Sequence, residues 1–387
     1  MKKEIRWLFY DYLSDGDEIE FFDPIYKSYI KMNLENNSYD IRVFGLEYVY
    51  RPCQLLLLEK YQDKMIFVPG SLYYVLIYDK KDKKTQKLPL EADKFAHYTG
   101  FDKFCKVMVW KNKVYLYPRY AHSIVCIDMN TYDIKYLEDC FLDMKTHSKE
   151  RVLSPNGIQK GQYAIFPCEN TNKIFVYNLE NDDFKFYNIK NAREGFSDIH
   201  IEEEAVWLTS NCEAKMYKWN YKDNTVSEYS LEESLTDGKI INRMIVHKEW
   251  SFFFPNGAKY IDVYDKRTMR FVKKIMLPSK ETSDLKLPYF ICIKAYKDKW
   301  LLGFSREMET LMKISMETGE IEEIVPDYPQ KERSEILYRM LMDKPENITS
   351  ENDWIDTKRY IEVIASMEPK KAQIMDEGIS GDKYLLI

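Results

Sequence analysis

The sequence predicts an all-β chain: a seven-bladed β-propeller of four-stranded antiparallel blades with a short C-terminal helical extension. Three observations predict it. One short motif occurs seven times, its copies lie 42 to 50 residues apart, and a β run that mostly ends in Pro precedes each copy by about ten residues.

The motif is an alternating apolar run that stops on Asn or Asp, as in Leu76-Ile77-Tyr78-Asp79 and Asp262-Val263-Tyr264-Asp265. Its end points are Asn33, Asp79, Asp128, Asn178, Asn220, Asp265 and Ser315, with spacings of 46, 49, 50, 42, 45 and 50. Asn and Asp side chains bond to backbone amides two residues on and tolerate unusual turn angles. These anchors therefore suit the hairpin between the third and fourth strands of a blade. Ser315 is the weakest copy, and Gly319 supplies its turn residue.

The preceding run is the second strand. It reads Phe21-Phe22-Asp23-Pro24, Phe67-Val68-Pro69, Leu116-Tyr117-Pro118, Ile165-Phe166-Pro167 and Phe253-Phe254-Pro255. Proline cannot donate to a ladder, so it marks the strand end. Blades 5 and 7 lack it, at Trp207-Leu208-Thr209 and Leu301-Leu302-Gly303. The first strands are expected over residues 5–10, 54–59, 105–110, 198–203, 241–247 and 290–295, with the poorest signal in blade 4 near 157–160. Residues 4–325 thus form seven units. A four-stranded sheet with two apolar faces cannot bury both alone, and radial stacking does it.

The tail, residues 326–387, changes character. Helical spacing over 331–342 ends at Pro345, and a second amphipathic stretch includes Trp354, Ile355, Tyr360 and Ile364. Residues 383–387 read as a strand that either closes the ring or caps the helices.

Charge and composition narrow the function. Fifty-seven Lys and Arg against 63 Asp and Glu give a net charge of −6, without the footprint of a nucleic-acid binder. No apolar segment is long enough to span a bilayer. The N-terminal stretch lacks a signal-peptide core, and the seven cysteines form no CxxC pair. A cytoplasmic protein without disulfides, metal or cofactor is expected.

At the anchors and the Pro-terminated strands the chain resembles the broad seven-bladed propeller superfamily of WD40, kelch and related bacterial cytoplasmic proteins. Tyr78-Asp79, Tyr177-Asn178, Trp219-Asn220 and Tyr264-Asp265 stand where the signature dipeptides sit, although the Trp-Asp and Gly-His signatures are absent. The resemblance implies a binding platform more often than an enzyme.

In such a fold the loops between second and third strands and those between blades share one face. That face gathers Arg51, Tyr73, His97, Arg119, Tyr120, His122, Arg151, Asn170, Asn211, Asn242, Arg243 and Arg306. Arg, Tyr and Asn are the residue types that anchor interfaces. The expectation is a non-catalytic binding or scaffold protein engaging a protein, peptide or glycan there. The alternative is a lyase or hydrolase acting on a sugar or anionic substrate at the channel mouth, with His97, His122 and His147 holding a metal. Loop histidines also share a face by chance, so no metal ligand is assigned. His200 is expected to line the channel.

Overall fold

The computed structural model describes residues 8–24, 28–44, 55–95, 103–120, 123–141, 151–231, 240–279 and 287–324. Among them stand seven four-stranded antiparallel sheets, each built from four consecutive strands, here called a to d. The blades cover residues 12–43, 55–89, 104–137, 158–188, 196–230, 241–276 and 290–324. The expected helices and the strand at 383–387 lie outside the described residues.

All seven anchors are the last residue of a strand c, and each acts as its side chain predicts. Asp79 Oδ1 accepts from the amides of Lys81 and Asp82, both at 3.0 Å. Asp265 Oδ1 accepts from Arg267 at 3.1 Å and Thr268 at 2.7 Å. Ser315 Oγ accepts from Thr318 at 3.1 Å. Four residues beyond every anchor the backbone is left-handed, at Asn37, Lys83, Tyr132, Asp182, Asn224, Met269 and Gly319. Only one of these is glycine. The anchor's bonds hold a turn that would otherwise strain six side-chain-bearing residues.

Strand b ends at Pro69, Pro118, Pro167 and Pro255, and at Asp23, Ser210 and Ser305 in the other blades. The two serines replace proline's stop with a cap. Ser210 Oγ accepts from the Glu213 amide at 3.2 Å and Ser305 Oγ from the Met308 amide at 3.1 Å.

Strand a is the innermost. In five blades its register slips by one residue near the start, leaving Leu56, Cys105, Ser197, Asn242 and Ile291 unpaired. These are β-bulges, which bend a strand and re-aim the next side chain. Leu57, Lys106, Asp198, Arg243 and Cys292 follow them. Blade 1 differs from expectation. Its strand a is Tyr12–Asp15, and residues 8–10 precede it rather than form it. The polar run Ser14-Asp15-Gly16-Asp17-Glu18 conceals this hairpin, and Gly16 makes its turn at φ 59°. Blade 4 has the shortest strand a, Ile158–Lys160.

The core lies between blades. Tyr115, Tyr117, Phe166 and Tyr177 pack blade 3 on blade 4, with Tyr117 and Phe166 centroids 4.4 Å apart. Phe9 bridges the ends of the repeat, 4.3 Å from Phe21 and 4.6 Å from Phe304. Tyr12 Oη donates to Leu302 O at 2.7 Å and Tyr296 Oη to Gly16 O at 3.0 Å. Blade 7 thus meets blade 1 through side chains.

Candidate functional site

In an a–b–c–d meander the b–c loops and the blade-to-blade loops fall at the same end of every sheet. The structure stitches them together. The residue that follows strand b donates its amide back to the residue just before its own blade's strand a: Arg119 to Lys103 O at 2.9 Å, Asn211 to Gly195 O at 3.2 Å, Asn256 to Ile240 O at 2.7 Å, and Arg306 to Tyr289 O at 2.8 Å. In blade 4 the bond is set one residue later and reaches further back: Glu169, two residues past the end of strand b, donates its amide to Val152 O at 3.0 Å. Three of the expected site residues, Arg119, Asn211 and Arg306, therefore occupy one repeated position.

Blades 3 to 5 turn this position into a cluster. Arg119 lies 3.5 Å from one Glu169 oxygen and Arg151 3.9 Å from the other. Arg151 Nε donates to Tyr120 Oη at 2.7 Å. Asn211 Nδ2 donates to the Glu169 carbonyl. Arg119 and Glu169 side chains are only 16% and 15% exposed, whereas Arg151 is 53% exposed. The inner pair is thus scaffold, costly to break from one side. Arg151 has little stability at stake and faces outward. Asn170 is half-buried in the same blade-4 loop. Gly195 lets the loops close up, since a Cβ there would sit 2.0 Å from Glu169 O.

The remaining expected residues are dispersed. Tyr73 is 42% exposed in the blade-2 loop, with the Lys103 ammonium 4.3 Å from its ring centroid. Lys103 is itself buried and donates to Gly70 O at 3.0 Å. Arg51, His97, His122 and His147 lie outside the described residues. Asn242 and Arg243 require correction. Both stand at the start of blade 6 strand a, Ile241–His247, where the first strand was expected, and not in the inter-blade loop to which they were also assigned. The bulge at Asn242 aims Arg243 at the axis.

There a second group of charges meets, one the loop-based reading did not assign. Inner strands and their approaches bring Asp11, Glu59, Lys106, Asp198, Arg243 and Lys294 together from six blades. Lys294 Nζ donates to Asp11 Oδ1 at 2.6 Å and Tyr12 O at 2.5 Å. Arg243 lies 3.5 Å from Asp198 and donates to Asn156 Oδ1. Asp198 accepts from the amides of Ile199 at 2.7 Å and Met244 at 2.6 Å. Its burial nonetheless pushes its pKa up to about 6, against the pull of Arg243 and those amides. Asn156, from the loop before blade 4, donates to Ser197 O at 2.9 Å and Asn242 O at 3.1 Å. The signal for these groups was a charge inside an apolar run, as in Leu58-Glu59, Cys105-Lys106-Val107 and Ile293-Lys294-Ala295.

His200 stands two residues past Asp198 in blade 5 strand a, and burial lowers its pKa against Glu202. Among the described residues no three His, Cys, Asp or Glu side chains are placed to hold a metal, and no helix is long and apolar enough to cross a membrane.

No protein-family model matches the chain, and no curated protein matches its sequence. Solved structures do match its shape. One is a catalytically inactive virginiamycin B lyase from Staphylococcus aureus with quinupristin, at 12% identity and TM-score 0.57, covering 80% of this chain and 97% of that one. Hsv2 of Kluyveromyces lactis is 11% identical at TM-score 0.52, over 81% and 97%. A chain of the mitotic checkpoint complex is 10% identical at TM-score 0.53, over 78% and 86%. An enzyme and a member of a multiprotein complex thus share this architecture, so the likeness establishes the fold: the chain is a seven-bladed β-propeller.

Proposed function

We propose that this propeller is a non-catalytic binding protein that engages a protein, peptide or glycan on its loop face, centred on blades 3 to 5. The observation that carries the reading is the Arg119–Glu169–Arg151–Tyr120 cluster. Three loops hold one carboxylate between two guanidiniums. Arg151 and Tyr120 form the cluster's outward edge, and exposed Tyr73 adds a second aromatic. Arg and Tyr in such a setting anchor partners that carry carboxylates or stackable surfaces. We further place the protein in the cytoplasm, a reading supported by six unpaired cysteines among the described residues.

The test is affinity capture from native lysate with the full chain. Wild type and Lys81→Glu, an exposed c–d turn residue at the opposite end, should recover the same partner. Arg151→Ala should lose it. Equal recovery by Arg151→Ala, or turnover of a small molecule by the purified wild type, would overturn the proposal.

A further inference from the structure

Charge is unevenly spread over the blades. Between Ile241 and Met276, blade 6 carries eight Lys and Arg against three Asp and Glu, in a chain whose net charge is −6. Two of those cations are held in ion pairs, Lys266 with Glu202 at 2.5 Å and Arg267 with Glu249 at 3.0 Å. Three more, Arg270, Lys273 and Lys274, gather at the blade's outermost strand, strand d, Phe271–Met276.

The same strand exposes apolar side chains. Of the eight large hydrophobic side chains exposed among the described residues, three stand on it: Phe271 at 37%, Val272 at 43% and Met276 at 65%. A bulge arranges them. Tyr264 pairs with Phe271 and Val263 with Lys273, so Val272 is the extra residue. The slip brings Phe271 onto the face of Lys274 and Met276, which pair with Asp262 and Tyr260. Phe271 packs edge-on against Tyr264 at 5.8 Å, and the Lys274 ammonium lies 4.1 Å from the Tyr260 ring centroid. One face of the outer strand thus reads apolar, cation, apolar. Among the described residues no other strand pairs with its outer edge.

An exposed edge with apolar side chains is a template for a further strand. Its charge selects which. A second copy set antiparallel about the strand's centre would oppose Lys273 to Lys274, and like charges across a strand pair repel. A carboxylate opposite Lys274, with apolar residues two positions to each side, complements the whole face.

From this pattern we propose that the outer edge of blade 6 docks an extended acidic segment of a partner protein, added as a fifth strand. The surface is on the rim and does not depend on the role of the loop face.

The experiment is fluorescence anisotropy with the full-length protein and the labelled peptide Thr-Ile-Thr-Glu-Thr-Ile-Thr, which sets Ile, Glu and Ile on one face. It should bind saturably, and more weakly as salt rises. The same peptide with Lys in place of Glu should bind about tenfold more weakly, the difference between an attractive and a repulsive cross-strand pair. Met276→Glu should weaken the Glu peptide about tenfold. Gln86→Glu, on the exposed outer strand of blade 2, should leave its binding unchanged. No binding, or equal binding of the Glu and Lys peptides, would overturn the proposal. So would protein that ignores the peptide but sediments with phosphatidylserine vesicles, or that forms dimers which Met276→Glu dissociates. The peptide comparison uses the wild type alone, so it stands even if a variant misfolds.

Discussion

Blades 4 and 6 bring polar groups to the axis by opposite means. Blade 6 uses a regular seven-residue strand, Ile241–His247, whose bulge points Arg243 inward. Blade 4 keeps only Ile158–Lys160 as strand a and sends a loop instead, with Ser154 and Asn156 bonding to blades 5 and 6. Ladder bonds surrendered within blade 4 reappear as side-chain bonds to its neighbours. The weak strand is thus compensated, and the two blades meet at the Arg243–Asn156 contact.

Four substitutions separate these routes. Gly157→Ala should have the largest effect. Its Cβ would lie 2.1 Å from the buried Phe166 ring, so the loop and the ring cannot both keep their places. A loss of about 3 kcal/mol is expected in denaturant unfolding. A loss near zero would show the blade-4 loop to be loosely held.

Asp198→Asn should next reveal itself in pH dependence. The wild-type carboxyl has its pKa raised from 3.8 to about 6, so the folded state holds its proton more tightly than the unfolded one. The stability this confers is complete below 3.8 and is lost as pH rises through about 6. Relative to Asp198→Asn, wild type should lose about 2 kcal/mol between about pH 4 and pH 7. Parallel stability profiles would mean that Asp198 is not desolvated.

Asn156→Ala removes two donated bonds and the acceptor of Arg243, and should cost about 1 kcal/mol by thermal unfolding. If blade 6 held Arg243 unaided, the change would be undetectable. Arg151→Ala should move stability least, by less than about 0.5 kcal/mol, while abolishing partner capture. A large loss of stability there would make Arg151 part of the scaffold rather than the binding edge.

The repeat was legible because its anchors act locally. Asn33 through Ser315 hold their turns by bonds within a few residues, and proline stops a strand wherever it falls. The first strands of blades 1 and 4 were harder to read, since Tyr12–Asp15 is half polar and Ile158–Lys160 is three residues long. On the loop face, topology alone located Arg119, Tyr120, Arg151 and Asn211. What sequence could not join was Glu169 to both arginines, because that contact brings together three loops that lie apart in the chain. The axial charges were hidden for another reason. A bulge decides whether Lys106 or Arg243 faces the axis, and a charge inside an apolar run does not show where the bulge falls.

The most direct test of the loop face as the binding surface is photo-crosslinking in native cells, with a photoreactive side chain in place of Tyr73, Tyr120 or Lys81 in turn. Adducts to one partner from positions 73 and 120, and none from 81, are the predicted result. Equal adducts from position 81, or none from 73 and 120, would contradict it.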